Sequence, residues 1–171
     1  MKILATSIFI FSVVVSVGQK HPGQDSIIYE DSIPNFRLTL STFNHAERIF
    51  NGTTTYLLTE SSIKVTRTFF GDTTSKSIYS KPISKSKNII SAINSIGLDS
   101  LKNFYSNNCV MLTSGNEYFL DFTSNLINKS VILHHYYLKQ VDDVIKIIND
   151  NLPKKYQFNY LSKDTKQDCN L

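Results

Sequence analysis

Tryptophan is absent from the 171 residues, cysteine occurs twice, proline four times and glycine six times. So little glycine and proline excludes a fibrous architecture, and a hydrophobic fraction of 41% excludes a disordered one. Two cysteines allow one bridge at most. Arginine is scarce as well, at Arg37, Arg48 and Arg67, and the formal net charge is only +4. Nucleic-acid surfaces show a denser cationic stripe with arginine and aromatics interleaved. The lysines instead fall in two loose groups, Lys76, Lys81, Lys85 and Lys87, then Lys154, Lys155, Lys163 and Lys166. They read as solvated faces, and no nucleic-acid partner is expected. No Gly-x-Ser-x-Gly, His-Glu-x-x-His, phosphate-binding glycine loop, Cys-x-x-Cys or EF-hand calcium loop occurs, so no motif points to an active site or a cofactor. What remains is enough chain for one domain with its own core.

The first residues carry an address. Lys2 is followed by an apolar run from Ile3 to Val17 that ends at Ser16-Val17-Gly18. A positive start, an apolar middle and small residues before the cut form the pattern of a secretory signal peptide, cleaved after Gly18. A membrane-spanning helix needs about 20 apolar residues, and this run holds about 15. No later stretch is long and apolar enough to span a bilayer, so no membrane span is expected after cleavage. The expected organisation is a signal peptide over 1–18, a polar leader arm over 19–34, one domain over 35–162 and a polar tail over 163–171. The expected location is periplasmic or secreted. In such an oxidising compartment Cys109 and Cys169 are expected to form a disulfide that staples the tail. A catalytic Cys109 would need a histidine beside it and a lowered pKa, neither of which the sequence supplies.

Alternation of apolar and polar residues predicts strands at Phe36–Ser41, Thr54–Thr59, Ile63–Phe69 and Lys76–Lys81, the last an edge strand stopped by Pro82. The short link Glu60-Ser61-Ser62 makes the middle two a hairpin. Ile89, Ile90, Ile93 and Ile96 then recur at helical spacing, with Gly97 as a stop. Leu98–Tyr105 reads as a second short helix. Strands are expected at Cys109–Leu112, Tyr118–Phe122 and Val131–Tyr137. The clearest helix covers Leu138–Asn151, where Val141, Val144, Ile145, Ile148 and Leu152 form one stripe before Pro153. Tyr156–Leu161 reads as a last strand. The order ββββ-α-(α)-βββ-α-β predicts an α+β fold of two layers, a mostly antiparallel sheet with two main amphipathic helices packed on it.

Candidate chemistry centres on His134-His135-Tyr136-Tyr137. Adjacent strand residues point to opposite faces, so the two histidines cannot share one metal from regular β geometry. One of them could pair with His45, Glu47 or an aspartate from elsewhere, which would give a small hydrolase or a metal-dependent enzyme using His134 or His135. The bland alternative is an aromatic, amphipathic strand end. Glu117 and Asp121 share a strand face about 13 Å apart, too far for a glycosidase pair at roughly 5–9.5 Å. Tyrosine suits an exposed binding face because it offers area at low entropy cost, which makes Tyr118, Tyr136 and Tyr137 the candidate binding surface, with ordinary β packing as the bland alternative.

The second half, Leu101, Phe104-Tyr105, Asn108-Cys109-Val110, His134-His135-Tyr136-Tyr137 and Ile148-Asn149 before Leu152-Pro153, resembles small secreted proteins of Bacteroidota. The resemblance covers roughly residues 36–161. It implies an exported bacterial protein and carries no catalytic residue onto this chain. The expected function is an exported, non-catalytic binding module for a protein partner or extracellular ligand, in its sharper form an inhibitor of an extracytoplasmic enzyme.

Overall fold

Among the described residues seven strands form where side chains alternate between a buried and a wet face. On β1 (Phe36–Asn44), Phe36, Leu38 and Leu40 are buried, while Arg37 is exposed and Thr39 is half-buried. β2 (Thr53–Thr59) buries Tyr56 and Leu58, and β3 (Ser62–Thr68) buries Ile63 and Val65. β4 (Lys76–Pro82) is the polar edge strand. β5 (Phe104–Ser106), β6 (Asn116–Ser124) and β7 (Asn128–His134) complete the sheet in the order β4-β3-β2-β1-β6-β7-β5. Every neighbouring pair is antiparallel except β5 and β7. Gly52 admits the entry to β2: its φ is 62°, and a Cβ there would lie 2.0 Å from the Thr68 carbonyl oxygen.

The computed structural model describes residues 36–45, 52–84, 86–163 and 165, with Ser86 and Lys87 placed by backbone alone. The expected signal peptide, the leader arm and Cys169 lie outside the described residues.

Helices α1 (Ser86–Ser95) and α2 (Lys139–Asp150) supply the second layer. Ile89 and Ile93 of α1 and Val141, Val144, Ile145 and Ile148 of α2 join one core with Leu38, Leu40, Leu58, Leu120, Phe122, Val131 and Leu133 from the sheet. Gly97, with φ at 73°, ends the first helix as its position suggests. The polar side of α2 carries Lys139–Asp143 and Lys146–Asp142 pairs one turn apart. The architecture is the two-layer α+β fold expected.

Local assignments differ in four places. The strand expected at Val131–Tyr137 is β7 at Asn128–His134, because the left-handed turn at His135 takes the chain out of the sheet before Tyr136 and Tyr137. Leu98–Tyr105 is not a second helix: one 3-10 turn at Leu98–Ser100 is followed by β5. There Phe104 faces out and Tyr105 packs inward, a period of two that wins because Asn103 and Asn107 bond to the open edge of β7. Cys109–Leu112 is a turn rather than a strand. Tyr156–Leu161 starts with a 3-10 turn at Lys154–Tyr156 and then runs extended outside the sheet. Side chains hold its backbone instead: the Asn149 amide donates to the Phe158 carbonyl at 3.0 Å and accepts from the Phe158 N–H at 3.2 Å.

Candidate functional site

The end of β7 gathers the histidines. His134 lies on the sheet face away from the helices, opposite Glu117 of β6 and Ser106 of β5. It is only 2% exposed. Its Nε2 sits 2.9 Å from the Ser114 carbonyl, which can only accept, so Nε2 carries the proton. Nδ1 is then a bare lone pair, buried and without a hydrogen-bond partner among the described residues. His135 follows with φ at 45°, a left-handed turn that ends the strand. Its Nδ1 accepts the Asn116 backbone N–H at 3.1 Å. Burial, and then the neighbouring His134, push the His135 pKa below its usual value.

His45, just past β1, completes the cluster. Its Nε2 lies 3.1 Å from Glu117 Oε2, and its ring is edge-on to His134 with centroids 6.0 Å apart. Phe43 packs against the His45 ring at 4.9 Å and stacks with Phe119 at 6.0 Å. The structure thus brings His134 beside His45, one of the partners weighed from sequence. The carboxylate in the cluster is Glu117, which sequence reasoning weighed only against Asp121. Nothing local signals this pair, because it exists through the β1–β6 register that sets Phe43 opposite Glu117. Glu47 lies outside the described residues. Among the described residues no three His, Cys, Asp or Glu side chains are placed to hold a metal ion. Cavities of about 390 Å³ beside Lys81 and Asp150, and of about 230 Å³ beside Asn44 and Asn116, are not lined by His45, His134 or His135.

Of the three tyrosines, Tyr118 takes the packing role and not the surface one. Tyr118 is 2% exposed on the helix-covered face, its ring against Tyr160 at 5.0 Å, so it belongs to no surface. Alternation placed it on a strand but could not say which face the helices cover. Burial pushes its hydroxyl up to about 12. Tyr136 is half-buried against Tyr105 at 5.2 Å, and the Tyr137 hydroxyl donates to Asp142 at 3.2 Å.

The opposite sheet face is covered by no described helix. Across it the register sets Phe104, Ile132, Phe119, Ser41, Thr55 and Thr66 in one row from β5 to β3. The half near β1 to β3 is a hydroxyl row, with Ser41 and Thr55 bonded at 2.9 Å. The half near β5 is apolar, and Phe104 is 54% exposed. Met111 and Leu112, at 75% and 68%, extend the exposed apolar surface in the loop that follows β5. Sequence reasoning missed these residues because it searched the tyrosines. Cys109 lies exposed in the same loop, where its N–H donates to the Asn107 side-chain oxygen at 2.8 Å.

This arrangement defines a class by fold alone: helices on one face of a mostly antiparallel sheet, the other face covered by no helix among the described residues. No model of a known protein family matches the chain, and no curated protein matches it. Among the described residues no helix is long and apolar enough to cross a membrane.

Proposed function

We propose that the chain is an exported, non-catalytic binding module that engages a protein partner through the open face of its sheet. The observation that carries this reading is the apolar half of that face: Phe104, Ile132 and Phe119 side by side, continuous with Phe43. An antiparallel sheet with one wet face normally alternates apolar-in and polar-out. Aromatics grouped on the wet side offer area that a partner can desolvate. Inhibition of an extracytoplasmic enzyme is the sharper form of the same reading. Export is supported by the order of charge, apolar run and small residues in 1–18 and by the resemblance to Bacteroidota proteins. A Cys109–Cys169 bridge is part of the proposal, supported by the compartment and by the exposed place of Cys109.

The test uses the mature chain as bait in the exported fraction of its source. Wild type should retain a specific protein that a Phe104→Ser/Ile132→Ser variant with an unchanged melting profile loses. Identical capture by both proteins sinks the proposed face. Amino-terminal sequencing of the exported protein checks cleavage after Gly18.

The His45–Glu117 pair beside His134 favours one rival, a small hydrolase or metal-dependent enzyme using His134 or His135. Against it, each of those two rings spends one nitrogen on the backbone of the Asn107–Gly115 loop or its junction with β6. Zinc titration followed by histidine ring signals separates the readings. Stoichiometric binding lost in a His134→Ala/His135→Ala variant would promote the enzyme.

A further inference from the structure

The geometry points to an acid-sensitive clasp, in which His134 and neutral His135 fasten the loop between β5 and β6 and protonation of His135 releases it. The inference stands independently of what the sheet face binds.

Residues 107–115 leave β5 and return to β6 as one strap held at three places. At its start the buried Asn107 donates its N–H to the His134 carbonyl at 3.0 Å, and its own carbonyl accepts from Val110 at 3.2 Å. At its end the Gly115 carbonyl accepts the His45 N–H at 2.9 Å. Between these main-chain bonds lie the two imidazoles. His134 Nε2–H donates to the Ser114 carbonyl, and His135 Nδ1 accepts the Asn116 N–H. Gly115 makes the fit possible, since a Cβ there would lie 2.7 Å from His135 Nδ1.

The His135 ring is committed to one protonation state. Protonating it puts a hydrogen on Nδ1, where it faces the Asn116 N–H, donor against donor. The cation would also be next in sequence to His134, whose ring has a further imidazole, His45, at 6.0 Å. Glu117, the carboxylate facing this side from β6, is already engaged by His45 at 3.1 Å. The lowered pKa of His135 agrees with the geometry. The imidazolium form of His135 is therefore favoured in the open loop over the closed one. The sign follows. A group whose pKa is lowered in the fastened state contributes stability above its free value of about 6.5 and loses it as pH falls below that. What acid releases is a loop carrying the exposed Met111 and Leu112.

Amide hydrogen exchange on the whole mature chain, expressed as protection factors, reads this directly. Between about pH 7.5 and about pH 5 the protection of Asn116, Ser114 and Val110 should fall about tenfold or more. Leu120, paired within the sheet, should hold. In a His134→Gln/His135→Asn variant the fall should disappear. Glutamine keeps a donor for Ser114, and asparagine keeps an acceptor for Asn116 and tolerates a positive φ. Protection that changes less than about twofold overturns the clasp, as does an equal fall at Leu120 or a fall retained in the variant. Should the variant not fold, ring titration of the wild type decides. A His135 midpoint below about 6.5 shared by the Asn116 amide shift supports the clasp, and a midpoint at or above it overturns it.

Discussion

Tyr160 ties the C-terminal segment down with one hydroxyl. It donates to the Tyr136 carbonyl at 2.8 Å and accepts from the Leu138 N–H at 3.1 Å. Tyr160→Phe strands both backbone groups, so we expect a loss of about 1–3 kcal/mol, read as a lower urea midpoint with an unchanged slope. Burial pushes the Tyr56 and Tyr118 hydroxyls up to about 12 and Tyr160 in the same direction. The native state then holds these protons where the unfolded chain releases them near pH 10. Stability from this source is complete below about pH 10 and falls as pH rises toward 12. Ultraviolet titration should accordingly show a group of phenols that ionise only as the protein unfolds; a single midpoint near 10 for all would contradict it. Gly115 is constrained twice, by a φ of 82° and by the His135 ring. Gly115→Ala should cost more than about 1 kcal/mol in a denaturant melt and loosen the Asn116 amide first.

Among the elements, α2 was the most legible, because its stripe of Val141, Val144, Ile145 and Ile148 allows one orientation only. All four are buried as expected. Ile148→Ala should destabilise by about 2–5 kcal/mol, whereas Lys146→Ala on the wet side should leave the melting temperature nearly unchanged. The β2–β3 hairpin was equally legible, since two alternating runs a few residues apart have few other ways to pair. β5 was not. Phe104-Tyr105-Ser106 is three residues long, and only the open edge of β7 makes a strand of it. Asn149 likewise replaces strand pairing at Phe158, a side-chain bond invisible to periodicity.

For the whole molecule, the proposed bridge is the testable constraint. It would close a loop of about 60 residues between Cys109 and Cys169. In the chain-entropy model that is worth about 4 kcal/mol. Cys109→Ser, at an exposed position, should lower stability by about that amount under oxidising conditions and by almost nothing under reducing ones. An equal effect in both would mean the thiols are not joined.

Hydrophobic period and turn residues determined the fold class by themselves, because burying one face of each strand and helix leaves few architectures. Of the candidate site they determined only the residue types. Which face Tyr118 enters, that Glu117 meets His45, and that His134 and His135 spend their nitrogens on one loop were decided by the tertiary structure. Each depends on strand order and register, which join residues as far apart as His45 and Glu117 through pairings that no local pattern encodes.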